Sequence, residues 1–251
     1  MLERRPSSVM LGPAQHPGTA GAHDNSFCMK KIAVLLVDDH AVVRQGLRAL
    51  LEAEGDIAVV GEAQNGREAV VLAKKTLPDV VLMDLAMPGM NGLEATRQIV
   101  RNVTSARVLV LTSYGDDDYV AQLMEAGATG YLLKQTAAAD LLKAIREVRQ
   151  GNAFFSPVIA KRLRQQSRAA FVVGEQNPKS EKLTSREAEV LQLVAEGFAN
   201  KQIAAELTIS IKTVEKHRQQ AMNKLNIHDI AGLTRYAMAK GWVEGGARLL
   251  L

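Results

Sequence analysis

The sequence has very little cysteine and no long hydrophobic run. Its one cysteine, Cys28, cannot form an internal disulfide and belongs to no Cys-x-x-Cys spacing, which excludes a disulfide-stapled scaffold and a cysteine zinc site. No apolar run approaches the roughly 18 residues that a membrane-crossing helix needs. The longest strand-like run extends only from Ile32 to Val37. We therefore expect a soluble protein without a membrane-spanning segment.

Length and charge divide the chain into two halves. Its 251 residues suggest two domains, since domains contain about 100 to 200 residues. Residues 30–150 have 14 Lys and Arg against 16 Asp and Glu, whereas residues 151–251 have 15 against 9. Because phosphate neutralisation dominates nucleic-acid affinity, only the basic half is expected to meet a polyanion. Residues 1–29 lack periodicity, which predicts a disordered extension, with Met29 as an alternative start.

Residues 30–150 alternate between strand and helix patterns. The strand-length apolar runs lie at residues 32–37, 57–61, 80–83, 108–111 and 130–133. Helical patterns follow them at residues 41–53, 66–76, 92–103, 116–125 and 137–149. Five strand–helix pairs in about 120 residues predict an α/β fold with a doubly wound, five-stranded parallel sheet. In such sheets, functional residues gather at the carboxyl ends of the strands.

Polar residues follow four of the five predicted strands. Asp38 and Asp39 follow the first strand, Asp84 follows the third, and Thr112 and Lys134 follow the fourth and fifth. Three carboxylates at one rim repel each other unless a hard cation such as Mg²⁺ lies among them. A nucleophilic carboxylate, a metal ion and two groups that can hold phosphoryl oxygens are what an aspartyl-phosphate site requires.

These residues occur in motifs that resemble a known family. The segments are Val37 to His40, Met83 to Gly92, Leu111 to Ser113 and Gly130 to Lys134. In this order they resemble the receiver domain of two-component response regulators, which has a flavodoxin-like fold. The resemblance implies that Asp84 accepts a phosphoryl group from a sensor histidine kinase. It also implies that Mg²⁺ binds to Asp39, to Asp84 and to the main-chain carbonyl of Ala86, while Asp38 acts mainly through metal-bound water.

The same resemblance assigns roles to three further residues. Thr112 and Lys134 would hold the phosphoryl oxygens, and Tyr131 would be a rotamer switch coupled to the Thr112 hydroxyl. The alternative for Tyr131 is an aromatic residue that packs at the edge of the core. Many receivers have proline after the lysine, whereas this chain has Gln135, so the local turn geometry can differ from that of the family.

The second half contains a pattern of short capped helices. Residues 156–168 are compatible with a tethering helix, and a polar linker follows to residue 178. Thr184 and Glu187 form a capping box, Asn200 can cap a helix that ends at Leu207, and Ser210 can cap a third helix that ends near Leu225. At about 100° per residue, one face of this third helix is apolar and the opposite face carries amides and cations. Two helices joined by a tight turn indicate a helix-turn-helix.

The residues of this half resemble the LuxR-type four-helix DNA-binding domain over residues 179–245. The resemblance covers Leu183 to Glu187, Asn200 to Ala204 and Lys212 to Val214, among other positions. It implies that the helix from Ile211 to Leu225 lies in the major groove of double-stranded DNA, with Val214 packed inward. Residues 230–240 would then form a dimer surface, and Trp242 would be a packing anchor. The predicted DNA contacts are Lys201, Lys212, Thr213, Glu215, Lys216, His217, Arg218 and Gln219.

A receiver joined to such a domain is the layout of NarL/FixJ-class response regulators. The sequence therefore predicts a cytoplasmic transcription regulator, not an enzyme. Phosphorylation at Asp84 would promote a homodimer that binds promoter half-sites. Two alternatives remain open at this point. The receiver could be a scaffold for phosphorylation-independent DNA binding, or the acidic rim could be the site of a metal-dependent phosphohydrolase.

Overall fold

The computed structural model describes residues 30–112, 117–156, 159–160 and 183–243, without the side chains of residues 117–119. The predicted disordered extension at residues 1–29 lies outside these residues. So does most of the predicted tethering helix and linker. Within the described residues, no helix is both long enough and apolar enough to cross a membrane.

The first unit is a doubly wound parallel sheet. Its strands are β1 (Ile32–Val37), β2 (Ile57–Ala63), β3 (Val80–Met83), β4 (Arg107–Thr112), β5 (Gly130–Leu133) and β6 (Phe154–Phe155). They lie in the order β2-β1-β3-β4-β5-β6, and every pair is parallel. The intervening helices are α1 (Ala41–Glu52), α2 (Gly66–Thr76), α3 (Gly92–Asn102), α4 (Asp117–Glu125) and α5 (Ala138–Arg149). This confirms the predicted α/β class.

Side-chain alternation along the strands builds a core on each face of the sheet. On β1, Val34 and Leu36 belong to the core that α1 and α5 cover, whereas Leu35 and Val37 belong to the core beneath α2 and α3. Successive strand residues point to opposite faces, so a strand buried on both sides needs an unbroken apolar run. The run from Ile32 to Val37 meets that requirement.

In the part of the chain that the structure describes the sheet has six strands, so the prediction of five was wrong in this respect. Phe154 and Phe155 pair with Gly130 and Tyr131 at the otherwise open edge of β5. A two-residue strand is too short to show an alternating pattern, so only its position beside β5 identifies it. Ser156, predicted as the start of the tethering helix, continues this pairing through its main-chain nitrogen, which donates to Tyr131 O at 3.2 Å.

In its described residues, 183–243, the second unit has four short helices. They are α6 (Ser185–Ala195), α7 (Asn200–Leu207), α8 (Ile211–Leu225) and α9 (Ile230–Ala239). Thr184 and Glu187 form the predicted capping box at α6, and Ser210 caps α8 by accepting from Thr213 N at 3.1 Å. The predicted cap of α7 was wrong by one residue. Ala199 is the N-cap, because the Gln202 side chain accepts a hydrogen bond from its main-chain nitrogen at 2.8 Å.

Candidate functional site

The acidic rim lies where β1 and β3 end. Asp38 and Asp84 are buried, and Asp39 is partly exposed. The two strands are neighbours in the sheet, and Asp84 N donates to Val37 O at 2.8 Å, which holds the ends of both strands together. The structure therefore brings together the three carboxylates that the sequence predicts at one site.

Lys134 lies between two of these carboxylates. Its Nζ is 2.7 Å from Asp38 Oδ2 and 3.0 Å from Asp84 Oδ2. Burial raises the pKa of Asp84 to about 6, although the nearby Lys134 cation opposes the increase. The pKa of Lys134 is raised because the attraction of Asp84 and Asp38 outweighs the desolvation of the ammonium group. At neutral pH the rim thus holds an ionised Asp84 beside a firmly charged lysine.

The predicted hydroxyl and aromatic residues lie on the adjacent strands. Thr112 is fully buried at the end of β4, and Lys134 N donates to its main-chain oxygen at 2.8 Å. Tyr131 on β5 is 1% exposed and belongs to the core that includes Met83. Burial of Tyr131 agrees with the packing alternative, and it leaves the predicted switch role as a hypothesis.

Two residues to which the sequence analysis gave no role, Arg44 and His40, donate hydrogen bonds to Asp38. Arg44 on α1 donates from a terminal guanidinium nitrogen to Asp38 O at 2.6 Å and from Nε to Glu62 at 3.3 Å. The signal for Arg44 was present, because on a helical wheel it lies about 20° from the buried Leu51. His40 donates from its main-chain nitrogen to Asp38 Oδ1 at 2.8 Å.

The loop from Asp84 to Gly92 is packed too closely against α3 to admit a side chain at Gly92. A Cβ there would lie 1.9 Å from Asp84 O. Gly92 N donates to Leu85 O at 2.9 Å, and Asn91 caps α3 by accepting from Glu94 N. The glycine thus lets the helix begin directly beneath the acidic rim.

The same loop contacts the helical unit. The Gln192 side chain on α6 donates to Met87 O at 2.7 Å and accepts from Asn91 N at 2.9 Å and Asn91 Nδ2 at 3.0 Å. Beside it, Glu196 accepts from Gly89 N at 2.9 Å. Gln192 is fully buried. The buried polar side chains of α6 at this contact therefore form most of their hydrogen bonds to the unit opposite with main-chain groups of the loop.

The predicted DNA contacts lie on α7 and α8 of the helical unit. Lys201 on α7 and Lys212, Glu215, Lys216 and Gln219 on α8 are exposed, whereas Thr213, His217 and Arg218 are partly buried. Val214 is fully buried, as predicted. Arg218 approaches Asn200 Oδ1 at 3.5 Å, which joins the start of α7 to the middle of α8. Contact with the sheet unit does not cover the exposed side chains of α8.

The predicted dimer surface on α9 and the predicted packing anchor Trp242 both lie within the described residues. Helix α9 ends at Ala239, and its Ile230 is 52% exposed, which leaves an apolar residue available on the predicted dimer surface. Trp242 is buried, with its ring 5.9 Å from that of Tyr236 in an edge-to-face arrangement. The predicted role of Trp242 as a packing anchor therefore agrees with its placement.

Comparison with known proteins identifies both units. Residues 34–146 match the response regulator receiver domain family, and residues 181–237 match the luxR family of bacterial regulatory proteins. The chain is 47% identical to the transcriptional regulatory protein LiaR of Bacillus subtilis over 206 residues, which cover 82% of this chain and 96% of LiaR. The chain is a response regulator of the NarL/FixJ class.

Solved structures of response regulators support this assignment. A LuxR-family two-component response regulator from Aurantimonas sp. SI85-9A1 matches with a TM-score of 0.53 and 39% identity, covering 55% of this chain and 99% of the other. RcsB from Salmonella enterica serovar Typhimurium, bound to promoter rprA with the phosphomimetic BeF3-, matches with a TM-score of 0.55 and 28% identity. That match covers 82% of this chain and 98% of RcsB.

Membership in these families decides between the broad functional alternatives. Response regulators with these two domains are transcription regulators and not enzymes, so the phosphohydrolase interpretation of the rim has no support. This response regulator has the kind of acidic cluster in which receiver domains bind Mg²⁺.

Proposed function

We propose that Asp84 of this response regulator is the phosphoryl acceptor and that its phosphorylation controls the binding of the helical unit to DNA. The observation that carries the proposal is the position of Lys134 Nζ, 3.0 Å from Asp84 Oδ2 and 2.7 Å from Asp38 Oδ2. A nucleophile, a cation and further carboxylates meet there at the carboxyl ends of parallel strands.

The proposed transfer is a displacement at phosphorus. An Asp84 carboxylate oxygen attacks the phosphoryl group of a phosphohistidine on the partner kinase. The new O–P bond forms as the P–N bond breaks, and the imidazole leaves with the electron pair. A pKa of about 6 leaves Asp84 mostly ionised at neutral pH and therefore nucleophilic. Lys134 then turns from the free carboxylate to a phosphoryl oxygen, and Thr112 holds a second oxygen.

The donor set of the rim fits a divalent cation. Asp38, Asp39, His40 and Asp84 each offer one ligand atom, and these atoms lie within 4.8 Å of one another. Asp39 Oδ1 is buried without a hydrogen-bond partner. We propose that Asp39, Asp84 and the carbonyl of Ala86 hold Mg²⁺, while Asp38 acts through bound water. The ion would neutralise charge on the transferring phosphoryl group.

The loop from Asp84 to Gly92 begins at the rim and contacts α6, so it offers a path for the signal. Ala86 and Met87 are adjacent, so the proposed metal ligand and the carbonyl that Gln192 contacts belong to consecutive residues. Hydrogen bonds with main-chain groups depend on the loop conformation, so a displacement of the loop weakens several of them together. Because the exposed face of α8 is open in this arrangement, the contact acts on the orientation of the helical unit rather than by covering the reading face.

We propose that the oriented units pair as a homodimer on promoter half-sites. The structure of RcsB bound to promoter rprA in the presence of a phosphomimetic supports this proposal by relationship. In this chain the exposed lysines of α8 would contact phosphates and bases, and α9 would contribute to pairing. A sensor histidine kinase would supply the phosphoryl group. Because the regulator would also have to reach promoter DNA, we expect it to act in the cytoplasm.

The test compares full-length wild type, Asp84→Asn and the exposed control Asp140→Asn. Each is incubated with a small acyl-phosphate donor and Mg²⁺, and then assayed for covalent phosphate and for binding to DNA sites selected in vitro. We expect labelling and enhanced DNA binding in the wild type and the control, and neither in Asp84→Asn. Persistent labelling of Asp84→Asn would overturn the assignment. Equal DNA affinity with and without label would favour the scaffold alternative.

A further inference from the structure

A buried arginine on α1 contacts the turn that follows β1. Arg44 and Leu51 are the two buried residues of α1, and arginine is almost never fully buried unless its charge is paired. The Arg44 guanidinium donates to Asp38 O at 2.6 Å and from Nε to Glu62 Oε2 at 3.3 Å. One planar group therefore ties α1 both to the end of β1 and to the neighbouring strand β2.

The hydrogen bond from Arg44 restrains the peptide group between Asp38 and Asp39. The Asp38 carbonyl oxygen and the Asp39 nitrogen belong to the same planar unit, so a hydrogen bond to that oxygen fixes the plane from which Asp39 continues. On the other side of Asp38, its main-chain nitrogen donates to Ala63 O at 3.2 Å. The turn is thus held at both peptide groups of Asp38, and its conformation sets the direction of the Asp39 carboxylate.

We propose that Arg44 is a positioning residue that holds the Asp38–Asp39 turn in the geometry that Mg²⁺ binding at Asp39 and Asp84 requires. This inference rests on the proposed magnesium site and gives a role to a side chain that does not touch the ion. Mg²⁺ demands nearly ideal octahedral geometry, so its affinity is sensitive to a small displacement of one carboxylate. Residues that orient metal ligands from behind commonly change metal affinity by about 10- to 100-fold when they are replaced.

The sign of the effect separates positioning from electrostatics. The Arg44 guanidinium is a cation close to the acidic rim, so through its charge alone it would repel Mg²⁺, and its removal would strengthen Mg²⁺ binding. If Arg44 acts by holding the turn, its removal weakens Mg²⁺ binding in spite of the lost repulsion. The two explanations therefore predict opposite changes in affinity for the same substitution.

The first test measures Mg²⁺ affinity by calorimetry on metal-stripped, full-length protein. Arg44→Met removes the charge and the donors, Arg44→Lys keeps the charge and one donor group without the planar fork, and Arg48→Met is the matched control. Arg48 lies one helical turn further along α1 and contacts the other Glu62 oxygen, at 3.1 Å, rather than the Asp38 carbonyl. We expect Arg44→Met to lower the affinity about tenfold or more, Arg44→Lys to lower it less, and Arg48→Met to change it by less than about twofold. Unchanged or increased affinity in Arg44→Met, or weaker binding by Arg44→Lys than by Arg44→Met, would overturn the proposal.

The second test examines the turn without metal. The main-chain nitrogens of Asp38 and His40 donate to Ala63 O and to Asp38 Oδ1, so hydrogen exchange at these two amides reports on the conformation of the turn. In EDTA we expect faster exchange at both amides in Arg44→Met than in the wild type or Arg48→Met, while the amides of β3 keep their protection and show that the variant is folded. Wild-type exchange rates in Arg44→Met would show that Arg44 does not hold the turn. Failure of the wild type to bind Mg²⁺ contradicts the magnesium site itself, whereas equal Mg²⁺ affinities in the wild type and Arg44→Met contradict only the role of Arg44.

Discussion

Replacement of Asp84 with asparagine should stabilise the metal-free protein at neutral pH. The buried Asp84 carboxyl has a pKa of about 6, against an ordinary value of 3.8. A shift of about 2 pH units at about 1.4 kcal/mol per unit corresponds to about 3 kcal/mol. Asparagine has nearly the same shape and carries no charge, so the variant avoids this cost while Lys134 keeps its contact with Asp38.

The sign of the pH dependence follows from the raised pKa. Between about pH 4 and pH 6 the folded wild type binds a proton that the unfolded chain has released. The wild-type free energy of unfolding should therefore fall as the pH rises through this interval. The advantage of Asp84→Asn should be close to zero at pH 4 and reach its full value above pH 6.

Urea denaturation in EDTA measures the difference. Far-UV circular dichroism follows the whole chain, and the fluorescence of Trp242, the one tryptophan, reports on the helical unit. Asp140→Asn, at an exposed position on α5, should change the free energy by less than about 0.5 kcal/mol. The reasoning fails if Asp84→Asn is no more stable than the wild type at pH 7.5, or if its advantage is the same at pH 4.

Four further predictions follow from individual contacts. Lys216→Ala should reduce the magnitude of the slope of log DNA affinity against log salt concentration by about 0.9, because one phosphate contact is lost. The control Lys143→Ala on the sheet unit should leave the slope unchanged. DNA-binding titrations at several salt concentrations measure both slopes. The Glu187 carboxylate accepts from Lys224 Nζ at 2.8 Å and from Thr184 N, and these contacts hold its pKa below the ordinary 4.5 despite desolvation. The stabilisation by the Glu187 carboxylate is therefore fully present above about pH 4.5 and is lost as the pH falls through its lower folded-state pKa. When unfolding is followed by Trp242 fluorescence, Glu187→Gln should therefore make the free energy of unfolding less dependent on pH at acidic pH. Gly92→Ala should lower the melting temperature of the sheet unit, because its Cβ would lie 1.9 Å from Asp84 O, whereas Gly46→Ala, with nothing within 4 Å, should not. Gln192→Ala should shift the chain toward separated units, seen as a larger radius of gyration in solution scattering, and an unchanged radius would show that this contact does not hold the units together.

Local patterns in the sequence predicted most of the sheet and the acidic rim. The bounds of β1, β3, β5 and α2 agree with the structure at both ends, because an apolar run or a capped helix is encoded by neighbouring residues. The rim was predictable for a related reason. Once the strands are parallel, the residues that follow them must meet at one edge. The family motifs then supplied the roles of Asp84, Thr112 and Lys134, which remain predictions.

Contacts between distant residues were not predictable in this way. Arg44 on α1 contacts the Glu62 carboxylate on β2, and Phe154 pairs with a strand more than twenty residues earlier. Nothing in the local sequence distinguishes Gln192 from other polar residues on a helix. Its burial and its hydrogen bonds to Met87 and Asn91 are visible only in the structure. Each of these positions depends on how whole elements pack.

The sequence by itself determined the two-unit composition, the order of the strands and helices along the chain, and the carboxylates, hydroxyl and lysine available at the strand ends. These follow from periodicity and capping, which act over a few neighbouring residues. Only the tertiary structure decided that Lys134 bridges Asp38 and Asp84 and that the loop from Asp84 to Gly92 contacts α6. Such distances depend on burial and on long-range packing, because side chains far apart in the chain interact only after the core has formed.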